Sequence, residues 1–358
     1  MNPFAKPSLF GLQERSNRDF SLEESWGKNK FNNCFPASLA LYMYRECLDP
    51  VYLTLDGNFG VEHGKISVAQ IFGADPLSED LFFSFESQYT PYNPMVNGRL
   101  PRADLVTMDV SKSGGRCLKD IEIKLTALPD NSTVERLETE QSCEIVVRPD
   151  TIVYAALSVA RIFESRRDKL LELLEPNYYE NLDWRNSEEV RPLISDLADD
   201  LDRVLQNNLA RQSPLMMQPV WKTTGKLLKL SEWCFDIFIW SDFALTRLFV
   251  DRAKSQAREQ MTREMRSVVW MVKMLYDFAI SGRMSPSRTT NEIVYAPRND
   301  KAFAISGART LPYLQSPELT RPRVRRSAVK EIVLGGGEKY LSPERRLDAV
   351  VQSTFELL

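Results

Sequence analysis

The sequence has very little histidine and cysteine, and it lacks several common catalytic motifs. Its 358 residues include one histidine, His63, and five cysteines, none of which form a C-x-x-C pair. A single histidine excludes histidine-rich zinc sites and nucleases built on several histidines. No G-x-S-x-G, G-x-G-x-x-G or G-x-x-x-x-G-K-[ST] motif occurs, which argues against a serine hydrolase and a nucleotide cradle. We expect His63 to lie in a loop between two strands.

The sequence also lacks a long uninterrupted apolar run. Its most apolar window, 234–250, contains Asp236, Asp242 and Arg247, so we expect no membrane span. The first twenty residues have no apolar run, so we expect no signal peptide. An odd and sparse set of cysteines favours reduced thiols. The sequence therefore predicts a cytoplasmic protein.

Charge is distributed unevenly along the chain. The formal net charge is −3, but 241–358 contains 20 basic and 13 acidic residues, a net of +7, whereas the remainder carries −10. Such an asymmetry suggests that the C-terminal third faces a polyanion, although charge also drifts along ordinary chains.

Strand-like segments cluster before residue 150, and helical patterns follow. The segments 50–56, 65–72, 80–87, 103–110 and 143–149 read as strands, while 151–175 and most of 218–281 read as helices. The order predicts an α/β or α+β protein with a large helical C-terminal region. We expect two regions: 1–165 with an N-terminal helix and the sheet, and 166–358, mainly helical, with basic loops packed on it.

One predicted strand, "KDIEIKLTALPD" at 119–130, has an unusual polar face. Alternation places Ile121 and Ile123 on one face and Glu122 and Lys124 on the other. The preceding strand begins with Asp104, and the turn "SKSGGR" favours an antiparallel hairpin. Asp104 is then expected near Glu122. Asp109 is five residues further along, so it falls on the opposite face.

Two adjacent carboxylates suit a magnesium ion, which prefers one or two carboxylates, several waters and a phosphate oxygen. Lys124 could orient the attacking water, assist its deprotonation or stabilise the charge that builds on phosphorus. These residues are typical of histidine-independent phosphodiester hydrolysis. A solvated Glu122–Lys124 pair of structural value remains the other interpretation.

The longer pattern resembles two known groups of nucleases. Asp104 followed by Glu122-Ile123-Lys124 resembles the PD-(D/E)xK motif, with Ala103 where that motif usually has proline or another apolar residue. The stretches "EIKLTALPDNST" and "CEIVVRPDTIVY" are similar to type II restriction endonucleases of the HindVP family. The segment "SLFGLQERSNRDFSLEESWGKNKFNNCFPASLALYM" is also similar to that family.

The resemblance implies a PD-(D/E)xK fold, in which helices flank a mixed central sheet. It also implies Mg²⁺-dependent cleavage of double-stranded DNA at a short palindrome such as GRCGYC, with a DNA methyltransferase as functional partner. Asp104, Glu122 and the Ile123 backbone carbonyl would bind the metal, and Lys124 would be the catalytic lysine. The first helix of the fold sometimes adds another acid, for which Glu24 is the candidate.

Three basic segments are candidates for DNA contact. If the segment 320–330 is extended, alternate arginines could follow a phosphate backbone. The segment 281–292 is a candidate recognition loop, and "WGKNKFNN" suits groove contact. All three suit solvated surface as well. The candidates are Lys28, Asn29, Lys30, Arg283, Arg288, Arg321, Arg323, Arg325 and Arg326.

A palindromic site is most simply cut by a homodimer with two-fold symmetry. Two other functions remain open. One is a non-catalytic DNA-binding or interaction protein in which Glu122 and Lys124 are structural. The other is a repair or recombination nuclease that recognises DNA structure.

Overall fold

The computed structural model describes residues 36–124, 145–175, 179–224, 227–255, 260–295, 301–305, 323–325 and 327–328. Within these ranges, an eight-stranded mixed sheet forms the centre of the molecule. Its strands are β1 (Val51–Leu55), β2 (Val61–Lys65), β3 (Leu81–Ser87), β4 (Ala103–Asp109), β5 (Arg116–Ile123), β7 (Pro214–Thr224), β8 (Leu227–Ser241) and β10 (Val324–Arg325).

Seven of these strands follow the order β2-β1-β8-β7-β5-β4-β3, and β10 pairs with β8. The pairs β1–β8 and β5–β7 are parallel, and the other neighbours are antiparallel. A separate antiparallel pair is formed by β6 (Ile145–Val147) and β9 (Phe303–Ile305).

Helices cover both faces of the sheet. They are α1 (36–45), α2 (Val68–Phe72), α3 (Pro149–Ile162), α4 (Arg167–Leu173), α5 (Ser187–Val190), α6 (Ile194–Gln206), α7 (Asp242–Ser255), α8 (Arg263–Ser281) and α9 (Pro286–Glu292). Helices α1 and α2 pack on the face that carries Leu105, Ile121 and Ile123. Helices α3 and α7 pack on the face that carries Val106 and Met216, and α6 and α8 pack against them in the same core. The mixed sheet with flanking helices confirms the predicted fold class.

The β4–β5 hairpin forms as its sequence predicts. Its turn contains Gly114 at φ 94° and Gly115 at φ 60°, and glycine adopts this left-handed region without steric cost. Ile121 and Ile123 are buried on one face, as expected. Glu122 on the opposite face is also buried, so the polar face of this strand is covered by protein rather than by water.

The prediction of helix through 218–281 was wrong for its first part. That part forms the end of β7 and the long strand β8, and helix begins only at Asp242. The end of β8 lies inside the sheet, and Ile237, Phe238, Ile239 and Trp240 are each at most 1% exposed. A strand that is buried on both faces shows no polar alternation, so its sequence reads as a continuous apolar run.

Residues 65–72 were predicted as a strand, but most of them form α2. Ser67 caps this helix, its side chain and that of Gln70 satisfy each other's backbone N–H groups, and Gly73 ends it at φ 77°. His63 lies within β2 opposite Leu53, so its prediction as a loop residue was wrong.

The predicted single helix at 151–175 is two helices. Helix α3 begins earlier, at Pro149, and ends at Ile162, while α4 begins at Arg167. Between them Phe163 is buried, and the Arg166 guanidinium lies over its ring and donates to Asn208 Oδ1 at 2.7 Å. These tertiary contacts hold the bend that helical periodicity alone does not reveal.

The two regions expected from the sequence share the central sheet. Strand β5 pairs with β7, and β1 pairs with β8, so strands from both sides of residue 165 are interleaved. The division at 165 stays a prediction. In the part of the chain that the structure describes, no helix is long and apolar enough to cross a membrane.

Candidate active site

The β4–β5 hairpin brings Asp104 and Glu122 together. Leu105 pairs with Ile121, and the same register carried one residue further places Asp104 opposite Glu122 on one face of the sheet. The Ile123 backbone N–H donates to Asp104 Oδ2 at 2.7 Å. The predicted proximity of the two carboxylates is confirmed, whereas Asp109 lies at the far end of β4 and pairs with Arg116.

Lys124 completes this cluster from the end of β5. Its Nζ donates to Glu122 Oε1 at 2.5 Å and lies 3.8 Å from Asp104 Oδ2. The Lys124 backbone N–H donates to the Met217 carbonyl of β7 at 2.9 Å, which ties the end of β5 to the neighbouring strand. The side chains of Glu122 and Lys124 are 6% and 13% exposed, whereas that of Asp104 is 26% exposed, so the cluster is buried at Glu122 and opens to solvent at Asp104.

Glu122 is buried and only partly satisfied. Its Oε1 accepts hydrogen bonds from Lys124 and from the Thr151 hydroxyl of α3, the latter at 2.8 Å. Its Oε2 is buried without a hydrogen-bond partner in the described part of the chain. An unsatisfied buried carboxylate oxygen is costly. Glu122 therefore has one carboxylate oxygen, Oε2, that neither Lys124 nor Thr151 binds.

The donor set suits a hard divalent cation with much of its own water. Asp104 and Glu122 supply carboxylate oxygens, which magnesium prefers over nitrogen or sulfur. Among the described residues, no cluster of three or more His, Cys, Asp or Glu side chains is arranged to hold a metal ion. Two carboxylates would leave the other ligand positions to water or substrate, which is typical of protein sites that bind magnesium. The role of the Ile123 carbonyl stays a prediction.

Burial and mutual repulsion set the charge state of the cluster. Burial, with the nearby charge of Glu122, raises the pKa of Asp104 to about 7, against the opposing effects of Lys124 and the Ile123 N–H. Burial lowers the pKa of Lys124, but the charges of Glu122 and Asp104 and the hydrogen bond to Glu122 outweigh it, so this pKa is raised. Lys124 is an ammonium ion in this arrangement.

Two further acids near the cluster were missed from the sequence. Glu86 lies on β3 between residues that pair with β4 on either side of Asp104, and its charge contributes to the raised pKa of Asp104. Its backbone has φ 50°, in the left-handed region. Asp150 lies in the first turn of α3, and burial followed by the charge of Glu122 raises its pKa. Strand pairing and helix docking reveal both positions; neither has a local sequence signal.

The candidate DNA-contacting residues are only partly described. Arg283 and Arg288 line a cavity of about 440 Å³ between α8 and α9. Arg288 belongs to helix α9, which corrects the predicted loop, because Pro286 occupies the first position of a helix there. The predicted site residues that lie outside the described residues are Glu24, Lys28, Asn29, Lys30, Arg321 and Arg326.

Arg323 and Arg325 lie at the same end of the sheet as the acidic cluster. Beyond the end of β5, strands β7 and β8 continue to pair, and β10 joins β8 opposite Phe235 and Trp233. Arg325 is exposed, and Arg323 donates to the Asp49 carbonyl at 2.8 Å. Three strand spacings, about 14 Å, separate β10 from β5 across the sheet. The structure thus places Arg323 and Arg325 towards the end of the sheet at which Asp104 and Glu122 lie.

The fold is a mixed sheet flanked by helices, and two carboxylates and a lysine lie at one end of its β4–β5 hairpin. This combination defines a restriction-endonuclease-like protein. The model of the HindVP restriction endonuclease family matches residues 26–358. The chain is 43% identical to the type II restriction enzyme HgiDI of Herpetosiphon aurantiacus over 349 residues, covering 98% of this chain and 96% of the relative.

It is also 36% identical to the probable type II restriction enzyme HindVP of Haemophilus influenzae (strain ATCC 51907 / DSM 11121 / KW20 / Rd) over 353 residues, covering 98% and 95% of the two chains. No solved structure matches the chain. The protein belongs to the HindVP restriction endonuclease family, a family of type II site-specific deoxyribonucleases. The resemblance to the HindVP family is confirmed, and the match extends well beyond the first 165 residues.

Proposed function

We propose that this protein hydrolyses phosphodiester bonds of double-stranded DNA at a short palindrome, with Mg²⁺ bound by Asp104 and Glu122. The observation that carries the proposal is the buried Glu122 side chain, whose Oε1 is held by two donors while Oε2 has no partner among the described residues. A solvated structural pair would leave neither oxygen buried. The recognition sequence is proposed to be GRCGYC-like.

Each residue of the cluster has a separate task in this proposal. Bound magnesium would polarise the scissile phosphate and lower the pKa of a water molecule. Asp104 is held in place by the Ile123 N–H, and Glu122 by Lys124 and Thr151. Lys124 carries a proton at Nζ, because its pKa is raised. Of the roles open to this lysine, the charge state favours stabilising negative charge on the phosphate in the transition state.

The first test is cleavage of a plasmid of known sequence by the purified full-length chain in Mg²⁺ and, separately, in Ca²⁺. We expect discrete fragments in Mg²⁺, whose ends define the recognition site, and we expect cleavage of a synthetic duplex that contains GRCGYC. Smears or random nicks would instead favour a structure-specific nuclease. Intact DNA across a range of Mg²⁺ and Mn²⁺ concentrations would overturn the proposal.

We propose that Arg325 contacts the DNA backbone. It is exposed and lies on β10, at the end of the sheet where Asp104 and Glu122 lie. If Arg325 neutralises a phosphate, Arg325→Ala should lower the slope of log affinity against log salt by about 0.9. Lys169→Ala is a matched control, because Lys169 is an exposed cation on α4 that pairs with Glu172. An unchanged slope would exclude Arg325 as a phosphate-binding residue.

The other proposed DNA-binding residues can be tested in the same way. They are Arg283, Arg288, Arg321, Arg323, Arg326, Lys28, Asn29 and Lys30.

We also propose a homodimer, because two copies related by a two-fold axis place one centre at each strand of a palindrome. Light scattering of the full chain with a cognate duplex measures this stoichiometry.

A cytoplasmic location and a partner DNA methyltransferase belong to the same proposal. Methylation of the mapped site should block cleavage, whereas equal cleavage of methylated DNA would contradict the partnership.

A further inference from the structure

Thr151 links the acidic cluster to a helix outside the β4–β5 hairpin. It lies in the first turn of α3, is fully buried, and its hydroxyl donates to Glu122 Oε1 at 2.8 Å. The helix packs against β4 and against the helices behind the sheet. Thr151 therefore connects the rigid helical layer to the cluster.

The place of Thr151 in its helix explains why its hydroxyl is available. A buried threonine inside a helix usually donates to the carbonyl four residues earlier, as Thr246 of α7 does to Asp242 at 2.9 Å. Four residues before Thr151 the chain is still strand β6. The Thr151 backbone N–H already donates to the Arg148 carbonyl at 3.1 Å. The hydroxyl proton is thus directed to Glu122.

This hydrogen bond makes the two oxygens of Glu122 unequal. Oε1 accepts from both Thr151 and Lys124, and the lysine also lies near Asp104. Without the Thr151 hydroxyl, the position of the carboxylate would depend on Lys124. A carboxylate held by one long flexible side chain can rotate about its last torsion, and either oxygen could then turn towards the lysine.

We propose that Thr151 is a positioning residue of the nuclease centre: its hydroxyl fixes the Glu122 carboxylate so that Oε2 faces the divalent cation. This inference rests on the proposed function, because Glu122 must be a metal ligand. Groups that orient a metal ligand typically contribute about ten- to a hundredfold to metal affinity. Neither the PD-(D/E)xK pattern nor the spacing of acids marks Thr151.

The test is a titration of the full-length protein with Mn²⁺ in the absence of DNA. The electron paramagnetic resonance signal of free Mn²⁺ measures how much of the ion is bound. Thr151→Val keeps the shape and removes the hydroxyl, so we expect the Mn²⁺ dissociation constant to rise about tenfold. Thr151→Ser keeps the hydroxyl and should stay within about twofold of the wild type. Thr246→Val removes a buried hydroxyl of α7 and should not change Mn²⁺ binding, even if it lowers thermal stability.

Wild-type affinity in Thr151→Val, or equal losses in Thr151→Ser and Thr151→Val, would overturn the inference, because the hydroxyl would then be irrelevant. If Thr151→Val does not fold, Thr151→Ala provides the same comparison. Glu122→Gln distinguishes failure of the Thr151 role from failure of the metal centre. If Glu122→Gln abolishes binding while Thr151→Val keeps the wild-type dissociation constant, only the role of Thr151 fails. If the wild type binds no Mn²⁺, the proposed centre fails with it.

Discussion

At its turn end, the β4–β5 hairpin pairs Asp109 with Arg116 at 3.3 Å, and the arginine side chain is 74% exposed. At its other end, Asp104 and Glu122 face Lys124 in a covered pocket. Hydrogen bonds from Ser111 lower the pKa of Asp109, whereas burial raises the pKa of Asp104. The same types of residue on the same two strands thus have opposite electrostatics, and the covering helix α3 makes the difference.

An acidic and a basic residue on neighbouring strand positions therefore do not by themselves indicate a catalytic site. At the exposed end, Asp109 accepts hydrogen bonds from Ser111 and Arg116, and solvent screens the ion pair, so the pair contributes little. At the covered end, each charge needs a protein partner or an ion, and one oxygen of Glu122 has neither in the described part of the chain. Substitutions at the two ends should therefore differ strongly in their effects on cleavage.

The largest expected effect is that of Glu122→Gln. The amide is nearly the same size but removes one of the two carboxylates that would bind magnesium. We expect single-turnover cleavage of a cognate duplex to fall on the order of a thousandfold. Asp109→Asn makes the equivalent change at the exposed end and should cleave at the wild-type rate. Similar rates for Glu122→Gln and Asp109→Asn would remove the distinction between the two ends.

Lys124→Met should separate catalysis from metal binding. Loss of the ammonium should slow single-turnover cleavage on the order of a hundredfold, because transition-state charge loses a donor. The same substitution leaves two carboxylates without their internal cation, so Mn²⁺ affinity should rise. Arg116→Met, which removes the cation at the exposed end, should change neither quantity. A lower Mn²⁺ affinity in Lys124→Met would show that the lysine does not compete with the metal.

Asp104→Asn should reveal the electrostatic strain of the covered end. The pKa of Asp104 is raised from 3.8 to about 7. The protonated side chain therefore stabilises the fold fully below pH 3.8, and this contribution is lost as the pH rises through about 7. The asparagine can still accept from the Ile123 N–H. The melting temperature of the metal-free protein should therefore rise at about pH 8 and change little at about pH 4. A lower melting temperature at the alkaline pH would contradict this sign.

Asp109→Asn should have the smallest effect on stability, with the opposite sign. The pKa of Asp109 is lowered, so its contribution is present above the ordinary value and disappears in acid. The melting temperature at about pH 8 should fall slightly, because exposed ion pairs contribute little. Scanning fluorimetry of both asparagine variants across the same pH range gives the comparison directly. A rise in stability for Asp109→Asn would show that burial does not set the sign.

The hairpin and its three charged residues could be predicted because their signals are local. Alternation fixes which residues share a face, and the glycine turn fixes the pairing, so Asp104 and Glu122 can be placed together without a structure. Burial of Glu122 could not be predicted, since its polar face is covered by α3, whose first turn lies well beyond the hairpin in the sequence. Thr151 and Glu86 reach the cluster only through tertiary packing and strand pairing.

The largest error in the fold has the same origin. Strand β8 is buried on both sides: Ile237 and Ile239 lie in the core that contains α1 and α2, and Phe238 and Trp240 lie in the core on the other face, where α7 contacts the strand. Burial on both faces removes the polar alternation that marks a strand, and Ile237 through Trp240 then resemble a helix core. The error matters for function, because β7 holds the end of β5 through the Lys124 N–H and because β10 joins the sheet through β8.

The most direct test of the nuclease centre is anomalous diffraction from crystals of the protein soaked in Mn²⁺. We expect a peak within about 2.5 Å of both an Asp104 carboxylate oxygen and Glu122 Oε2, with Oε1 still bonded to Thr151. A protein that cleaves DNA in Mn²⁺ but binds the ion elsewhere, away from Asp104 and Glu122, would contradict this assignment of the centre.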